Sequence, residues 1–263
     1  MARSRSHAHA RTRRAFSQNF LADPVAVRRI ADAAELKPDD LVIEVGAGRG
    51  QLTAALVERC ERVIAYEVDP AMAAAIPPRA GLTVRAEDFL RVVPPERHFA
   101  VVGNPPYSLT SPVVDWCLRA PTLTSATLLT QLEYAWKRTG HYGRWTRLTI
   151  STWPVIAWQF KGRIPRGSFR PVPRVDSGIL RLERRDVPLV QPAALGAYRR
   201  FVDLGFGGIG GSLCLSLARR YGTRRATGAC RAARVGADTP VGLAWPEQWL
   251  TLFRILDHPG PHR

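Results

Sequence analysis

The sequence predicts an α/β fold with a mostly parallel seven-stranded sheet, followed by a small all-helical C-terminal domain. Short apolar runs alternate with helical segments over the first 187 residues, the pattern that produces a doubly wound parallel sheet. A glycine-rich turn follows the first of these runs, where such folds place a ligand at a helix N-terminus. Beyond Pro188 the apolar residues recur with helical periodicity instead, which indicates the second domain.

The composition is that of a globular protein with a strongly basic charge. Of the 263 residues, 46% are hydrophobic and 23% are charged, and the length suffices for one full domain and a smaller one. The net charge is +16, and nearly all of the cations are arginine, which grips phosphate as a fork and stacks on bases. A biased genome would explain why the cations are arginine rather than lysine, but it does not explain why they outnumber the 22 acidic residues. We therefore expect a polyanionic partner, most simply nucleic acid.

We expect neither a membrane span nor a metal site. No apolar stretch approaches the ~18 residues of a span, and the basic first twenty residues lack the apolar core of a secretory signal. The cysteines are widely spaced, form no C-x-x-C pair and do not cluster with the six histidines. The sequence thus predicts a cytoplasmic, monomeric protein with structural thiols at Cys60, Cys117, Cys214 and Cys230.

The N-terminal part of the sequence predicts a basic arm, then a capped helix, and then the first strand of the sheet with the helix that follows it. Residues 1–15 hold five arginines among Ser, His and Ala, and are expected to be disordered. Asp23 and Pro24 then cap a helix. The strand 41–45 follows, then the turn Gly46-Ala-Gly-Arg-Gly50 and a helix over 51–59. The apolar face of the first helix is predicted from Val25, Val27, Ile30 and Ala34.

Four predicted strands end in a glycine or a polar residue. These are Gly46, Glu67 after the strand from Arg62, Asp88 after the strand 82–85, and Asn104 after the strand 99–102. The carboxyl ends of parallel strands meet at one edge of the sheet, where open α/β sheets bind ligands. An acid at the end of the second strand is where such folds hold a ribose diol, which selects Glu67, and Asp88 suits an adenine amine.

The loop Gly103-Asn-Pro-Pro-Tyr107 carries the most specific chemistry. Pro105 and Pro106 hold its backbone stiff and extended. The Asn104 side-chain oxygen and the Pro105 carbonyl can accept both hydrogens of an exocyclic amine, while Tyr107 stacks on the purine. This arrangement aims the amine lone pair at an electrophile, so positioning and electrostatics supply the catalysis without a strong base. Taken alone, the Pro-Pro pair favours an ordinary strand-ending turn, and the rest of the chain decides for a binding loop.

The middle of the chain completes the sheet. We expect a helix over 111–119, a strand over 125–132, and a closing hairpin of 155–161 with 176–183. The proline- and arginine-rich loop 162–174 is a candidate RNA surface. The stretch 133–147 interleaves aromatic and basic residues, which suits base stacking and phosphate contact or, alternatively, a half-buried helix–loop–helix.

The last third is helical, with predicted helices over 193–204, 213–221 and 246–256. It contains Gly205-Phe-Gly-Gly-Ile-Gly210, which matches the dinucleotide-binding fingerprint letter by letter. The segment before this run is a predicted helix rather than a strand, and no acid-ended strand follows it. We therefore interpret the run as an interhelical loop.

Several motifs agree on one family. They are Phe16-Ser-Gln-Asn-Phe-Leu21, Glu44-Val-Gly-Ala-Gly-Arg-Gly50, Tyr66-Glu67, Asp88-Phe89, Asn104-Pro-Pro-Tyr107 and Val172-Pro-Arg-Val-Asp-Ser177. Together they resemble the rRNA adenine N6-dimethyltransferases. The stretches 114–118, 130–133 and 137–145 resemble the erythromycin-resistance (Erm) branch of 23S rRNA methyltransferases more than the small-subunit enzymes. The resemblance covers about residues 15–256.

The resemblance implies a Rossmann-like domain over 16–187 that uses S-adenosylmethionine (SAM), and a helical RNA-binding domain over 188–263. It implies methylation of one adenine in 23S rRNA, which gives resistance to macrolide, lincosamide and streptogramin B antibiotics. Carried over by position, the cofactor-binding residues are Gln18, Asn19, Leu21, Gly46, Glu67, Asp88 and Asn104. The residues that hold the target base are Asn104, Pro105 and Tyr107.

One residue departs from the Erm pattern, and three alternatives stay open. Many Erm sequences have an aliphatic residue where Pro105 stands, but proline keeps its carbonyl, so the acceptor survives. The chain is alternatively a 16S rRNA adenine dimethyltransferase, a DNA adenine methyltransferase, or a non-catalytic RNA-binding factor of the same fold. The sequence shows no separate DNA-recognition domain, and its intact strand-end residues argue against a non-catalytic factor.

Overall fold

The computed structural model describes residues 19–208 and 211–257. The chain folds into two compact units. The first consists of the described residues up to Ala135 together with Gln159–Glu183, and the second of Trp136–Trp158 with the described part of Arg184–Arg263. The predicted basic arm over 1–15 lies outside the described residues, as does Gln18.

The strands confirm the predicted sheet. Those described are β1 Phe20–Leu21, β2 Leu41–Val45, β3 Arg62–Tyr66, β4 Leu82–Arg85, β5 Phe99–Gly103, β6 Leu123–Gln131, β7 Ile156–Ile164, β8 Phe169–Arg170 and β9 Ser177–Arg184. Seven of them form one sheet in the order β4–β3–β2–β5–β6–β9–β7. Strands β2 to β6 pair in parallel, and β9 pairs antiparallel with β6. Strands β1 and β8 form a separate two-stranded sheet.

The helices mostly follow the predicted segments. Those described are α1 Pro24–Ala33, α2 Gln51–Val57, α3 Pro70–Ala75, α4 Thr110–Arg119, α5 Leu132–Arg138, α6 Arg147–Thr152, α7 Leu195–Phe206, α8 Leu213–Tyr221, α9 Thr223–Ala232 and α10 Pro246–Leu256. Sequence periodicity missed α6 and α9. The buried face of α9 consists of Ala226, Ala229 and Cys230, which are too small to give a strong apolar period.

The central strands are covered on both faces, as a parallel sheet requires. Every residue of β2 and of β5 is buried. At the end of β5, a Cβ on Gly103 would lie 2.5 Å from the Val45 carbonyl oxygen. Only glycine therefore lets the two central strands stay this close where the Asn-Pro-Pro-Tyr loop begins.

Helix α1 buries three of the four residues that were predicted for its apolar face. The Asp23 carboxylate accepts from the Val25 amide at 2.9 Å, so the predicted cap is confirmed. Val25 itself is 53% exposed, which contradicts its placement on the apolar face. The core contacts follow the i, i+3, i+4 spacing of the rest of the helix, and the buried residues are Ala26, Val27, Ile30, Ala31 and Ala34.

The second unit is a helical bundle with its own aromatic core. Trp249, Phe201 and Phe253 are its large buried side chains, and Trp145 belongs to the same cluster. The sequence had placed 136–158 in the first domain, with a boundary at 187 and 188. Non-local packing of Trp145 groups that segment with the C-terminal helices instead.

The dinucleotide-like glycine run follows a helix, as expected. Gly205 and Phe206 are the last residues of α7 rather than part of a loop. A Cβ on Gly205 would lie 2.4 Å from the Trp249 ring, so this glycine serves helix packing. The last two residues of the run, 209 and 210, lie outside the described residues.

The described ranges contain no helix long and apolar enough to cross a membrane. Within the same ranges, no group of three or more His, Cys, Asp or Glu side chains is placed to hold a metal ion. All four cysteines are buried and free, which confirms that they are structural thiols.

Candidate active site

The predicted site residues meet at the carboxyl edge of the sheet. One part of the cleft is lined by Asn19, Leu21, Glu44, Gly46, Glu67, Asn104, Pro105 and Tyr107. The other part is a largely apolar hollow of about 180 Å³, lined by Gly46, Tyr66, Glu67, Asp88, Phe89 and Pro105 among others. Gly46, Glu67 and Pro105 line both parts, which therefore form one elongated cleft. Gln18, predicted beside Asn19, is outside the described residues.

The glycine turn is organised by Glu67. The Gly48 amide donates to Glu67 Oε2 at 2.8 Å, and the Asp69 amide donates to Glu67 Oε1 at 3.0 Å. Gly48 has φ +55° and a Cβ there would lie 3.1 Å from the Phe20 ring. The Glu67 carboxylate is buried, and each of its oxygens keeps a further lone pair for a ligand in the cleft that it lines.

Asp88 stands at the rim of the apolar hollow. Its Oδ1 accepts from the Leu90 amide at 3.0 Å and so caps a single turn of 3₁₀ helix, while Oδ2 lies 3.7 Å from Arg91 Nε. Phe89 and Tyr66, on the hollow beside it, are buried. An apolar slot with a carboxylate at its rim can hold a flat heterocycle and accept from its exocyclic amine.

The Asn104 side chain is oriented by the N-terminal segment. Its Nδ2 donates to the backbone carbonyl of Asn19 at 2.9 Å. Because the amide nitrogen is engaged there, Oδ1 is the atom left to accept a hydrogen bond in the cleft. Strand β1, directly after Asn19, pairs antiparallel with β8, with Phe20 opposite Arg170. The loop 162–174 thus holds Asn19 in place, a role that its composition did not indicate.

Tyr107 is held at its hydroxyl. The Tyr107 and Ser177 hydroxyl oxygens lie 2.8 Å apart. Burial raises the pKa of Tyr107 above its ordinary value, with the Ser177 hydrogen bond acting in the opposite direction, so the phenol stays neutral at physiological pH. The ring therefore has a defined orientation next to Pro105 and Pro106 in the cleft.

Glu44 is a site residue that the sequence reasoning missed. Its side chain is 1% exposed; Oε2 accepts from Thr53 Oγ1 at 2.6 Å, and Oε1 has no hydrogen-bond partner among the described residues. Burial raises the Glu44 pKa to about 7, and the charge of Glu67 acts in the same direction. A buried carboxylate with a free oxygen in a cleft suits a cationic ligand group. The available signal was an acid in the middle of the apolar strand 41–45.

The aromatic and basic stretch 133–147 has features of both predicted alternatives. Trp145 is buried in the core of the second unit, as the half-buried interpretation requires. Tyr142 is 50% exposed and Arg144 is also exposed, as the RNA-surface interpretation requires.

The parallel sheet, the glycine turn and the Asn-Pro-Pro-Tyr loop at its carboxyl edge define a Rossmann-like methyltransferase. A family model described as ribosomal RNA adenine dimethylase matches residues 9–258. The chain belongs to this family of ribosomal RNA adenine dimethylases.

Individual relatives agree with the family. The chain is 52% identical over 252 residues to an rRNA adenine N-6-methyltransferase of Streptomyces fradiae, covering 94% of this chain and 79% of that one. It is 48% identical over 257 residues to an rRNA adenine N-6-methyltransferase of Saccharopolyspora erythraea, covering 96% and 68%. The chain is 48% identical in sequence to the 23S rRNA methyltransferase ErmE, whose crystal structure superposes on it with a TM-score of 0.86. The match covers 91% of this chain and 100% of the ErmE chain.

Proposed function

We propose that the protein transfers a methyl group from SAM to the N6 amine of one adenine in 23S rRNA and thereby confers resistance to macrolide, lincosamide and streptogramin B antibiotics. The observation that carries the proposal is the orientation of Asn104, whose amide nitrogen is engaged by Asn19 and whose oxygen is left for the amine. The similarity to ErmE, described as a 23S rRNA methyltransferase, supports the large-subunit target.

The residues of the cleft fit SAM. Glu67 would hold the ribose diol, and the hollow of about 180 Å³ with Asp88 at its rim suits the adenine. The free Oε1 of Glu44 suits the α-ammonium of the methionine part, near Asn19 and Leu21. When bound, SAM supplies a methyl group on a sulfonium sulfur, so that an N–C bond forms while the C–S bond breaks and the amine afterwards loses a proton.

The catalytic loop prepares the amine for attack. Asn104 Oδ1 and the Pro105 carbonyl accept its two hydrogens, which localises the nitrogen lone pair that is otherwise delocalised into the purine ring. Tyr107 stacks on the base and holds its plane. Positioning of this kind contributes several kcal/mol to catalysis without a strong base. Proline at 105 retains the required carbonyl, so activity is expected despite the difference from many Erm sequences.

The basic surface supplies affinity for RNA that does not depend on sequence. A chain with a net charge of +16 gains free energy by releasing the counterions condensed on phosphates. The target adenine must leave its stack, which costs a few kcal/mol and less in an unpaired loop. An rRNA loop is therefore a better substrate than duplex DNA. We assign RNA binding to the helical C-terminal unit and the basic arm, and place the monomeric enzyme in the cytoplasm.

The proposal is tested by transfer of labelled methyl from SAM to purified 23S and 16S rRNA, with the modified base mapped by primer-extension stop. A stop at one adenine of the 23S peptidyl-transferase loop is expected, together with macrolide resistance in a host that expresses the protein. Label in 16S rRNA alone would instead identify a ribosome-maturation dimethylase. SAM binding without label in either RNA would favour the non-catalytic factor.

A further inference from the structure

A second cleft lies in the helical unit and shares no lining residue with the cofactor cleft. It has a volume of about 440 Å³ and is lined by Lys137, Tyr142, Arg144, Trp145 and Thr146. We propose that this Tyr142 cleft binds one unstacked nucleotide of the RNA substrate, with the base on the Tyr142 ring and a phosphate on Arg144. The proposal rests on the proposed function, because it takes RNA to be the substrate.

The aromatic wall of the cleft is exposed and yet supported. The Tyr142 ring is 50% exposed and meets the Trp136 ring edge-on, with centroids 5.6 Å apart and an interplanar angle of 87°. Trp136 in turn stacks parallel on His141 at 5.3 Å. Tyr142 thus has little freedom to lose when a base covers it, and every base offers a π-face for such stacking.

The backbone around Tyr142 is fixed by contacts of its neighbours with the core of the second unit. Trp145 is buried, and its amide donates to the Gly242 carbonyl at 2.7 Å. Gly140 has φ +71°, and a Cβ there would lie 2.4 Å from the Trp145 ring. Gly143, at φ +63°, makes the next turn. The segment between Trp136 and Trp145 is therefore a formed surface feature anchored in the core.

The positive charge of the segment between Trp136 and Trp158 favours an anionic ligand. From Trp136 to Trp158 the chain carries four cations and neither aspartate nor glutamate. Two of the cations serve the fold, since Arg138 donates to Thr146 Oγ1 at 2.9 Å and Arg147 pairs with Asp203 at 2.7 Å. Arg144 is exposed and has no carboxylate partner in the described parts of the chain, and Lys137 adds a second cation at the cleft.

An aromatic face beside a guanidinium matches both halves of a nucleotide. A base stacks on the ring, and the guanidinium donates to a phosphate through two N–H groups. Duplex RNA keeps its bases stacked and offers only the phosphate. The Tyr142 cleft should therefore prefer single-stranded RNA, and it should lose that preference when the ring is removed.

The experiment measures binding of a labelled 12-nucleotide oligo(A) and of an RNA duplex to the full chain across a salt series. Tyr142→Ala should weaken oligo(A) binding about fivefold to a hundredfold without changing the salt slope, while Tyr142→Phe stays near wild type because it keeps the ring. Arg144→Gln should lower the slope of log K against log salt by about 0.7, the value for one single-strand phosphate. Arg97→Gln, an equal charge change at an exposed position of the first unit, is the matched control.

Unchanged oligo(A) affinity in Tyr142→Ala, with SAM affinity and Tm intact, would overturn the proposal. An equal loss of slope in Arg144→Gln and Arg97→Gln would also overturn it. An acidic peptide that binds as tightly as oligo(A) and depends equally on Tyr142 would make the cleft a protein site. The two proposals can fail separately. If Tyr142→Ala binds oligo(A) normally while the wild-type protein methylates 23S rRNA, only the proposed nucleotide site is refuted. If the wild-type protein methylates no rRNA, the proposed function is refuted.

Discussion

The hydroxyl of Tyr107 lies 2.8 Å from that of Ser177, which is completely buried at the start of β9. Tyr107 follows β5, and the sheet order places β6 between β5 and β9. A strand two positions away thus holds the far end of the ring that we propose to stack on the target adenine. The Asn-Pro-Pro-Tyr loop is thus held at both ends, at Tyr107 by Ser177 and at Asn104 by the Asn19 carbonyl.

Replacing Tyr107 separates the contribution of its ring from that of its hydroxyl. Tyr107→Ala should lower kcat/KM for rRNA about fivefold to a hundredfold beyond the loss in Tyr107→Phe, because it removes the stacking ring as well as the hydroxyl. Tyr107→Phe should cost about fivefold, the worth of one hydrogen bond of about 1 kcal/mol. Ser177→Ala should match Tyr107→Phe, and the double variant should lose nothing further. Steady-state methyl transfer measures all four, and equal losses in the Phe and Ala variants would move the role from the ring to the hydroxyl.

Asn104 should be needed for transfer, while its replacement should leave SAM affinity nearly unchanged. Asn104→Ala removes an acceptor of the amine, and we expect methyl transfer to fall at least a hundredfold, by analogy with the loss of a catalytic hydrogen bond. Asn104→Asp keeps an oxygen that can accept from the amine but loses the N–H group that donates to the Asn19 carbonyl. Its activity should therefore lie between those of wild type and Asn104→Ala. Single-turnover transfer and calorimetric SAM binding give the two readouts. Undiminished methylation by Asn104→Ala would refute the assignment.

Glu67 should contribute to SAM affinity through both its charge and the turn that it organises. Glu67→Ala removes the acceptor of the Gly48 amide together with the proposed ribose contact, and SAM binding should weaken several-fold. Glu67→Gln keeps one acceptor oxygen and should lose less. If calorimetry finds wild-type affinity in both variants, the ribose contact lies elsewhere.

Glu44 should make stability depend on pH in a defined direction. Its pKa is raised from 4.5 to about 7 in the folded state. Between these values the unfolded chain ionises while the folded protein keeps the proton, so wild type loses stability as the pH rises through this window. Glu44→Gln should therefore exceed wild type in Tm at pH 8, and the difference should shrink toward pH 5. A difference that stays constant from pH 5 to pH 8 would contradict the shift.

The same variant reports on the cofactor. A cationic α-ammonium beside Glu44 would favour the ionised carboxylate and lower its pKa. Wild type should then release protons on SAM binding near pH 7, whereas Glu44→Gln should not. Calorimetry in two buffers of different ionisation enthalpy counts these protons. Equal proton release by the two proteins would place the ammonium elsewhere.

Two helical glycines of the second unit should respond oppositely to alanine. A Cβ on Gly205 would lie 2.4 Å from the rigid Trp249 ring, and Gly205→Ala should destabilise by about 1–3 kcal/mol through overpacking. Gly228, in α9, is exposed and has no atom within 4 Å of such a Cβ. Gly228→Ala should stabilise by about 0.5–1 kcal/mol. Thermal unfolding measures both, and a stable Gly205→Ala variant would show that the helices can move apart.

Much of the site was accessible to sequence reasoning because its chemistry sits at strand ends. Gly46, Glu67, Asp88 and Asn104 each follow an apolar run, and parallel strands bring their carboxyl ends to one edge. Glu44 was missed because a strand-interior acid looks like an interruption of the apolar pattern until the burial around it is known.

The sequence by itself determined the sheet and the residues that lie at its carboxyl edge, because these depend on local periodicity and on which residues follow each strand. Tertiary structure decided the raised pKa of Glu44, the orientation of the Asn104 amide and the tether of Tyr107. It also grouped Trp145 with the C-terminal helices. Desolvation and hydrogen-bond partners depend on groups far away in the chain, such as Ser177 for Tyr107. No local pattern encodes which of those groups will meet.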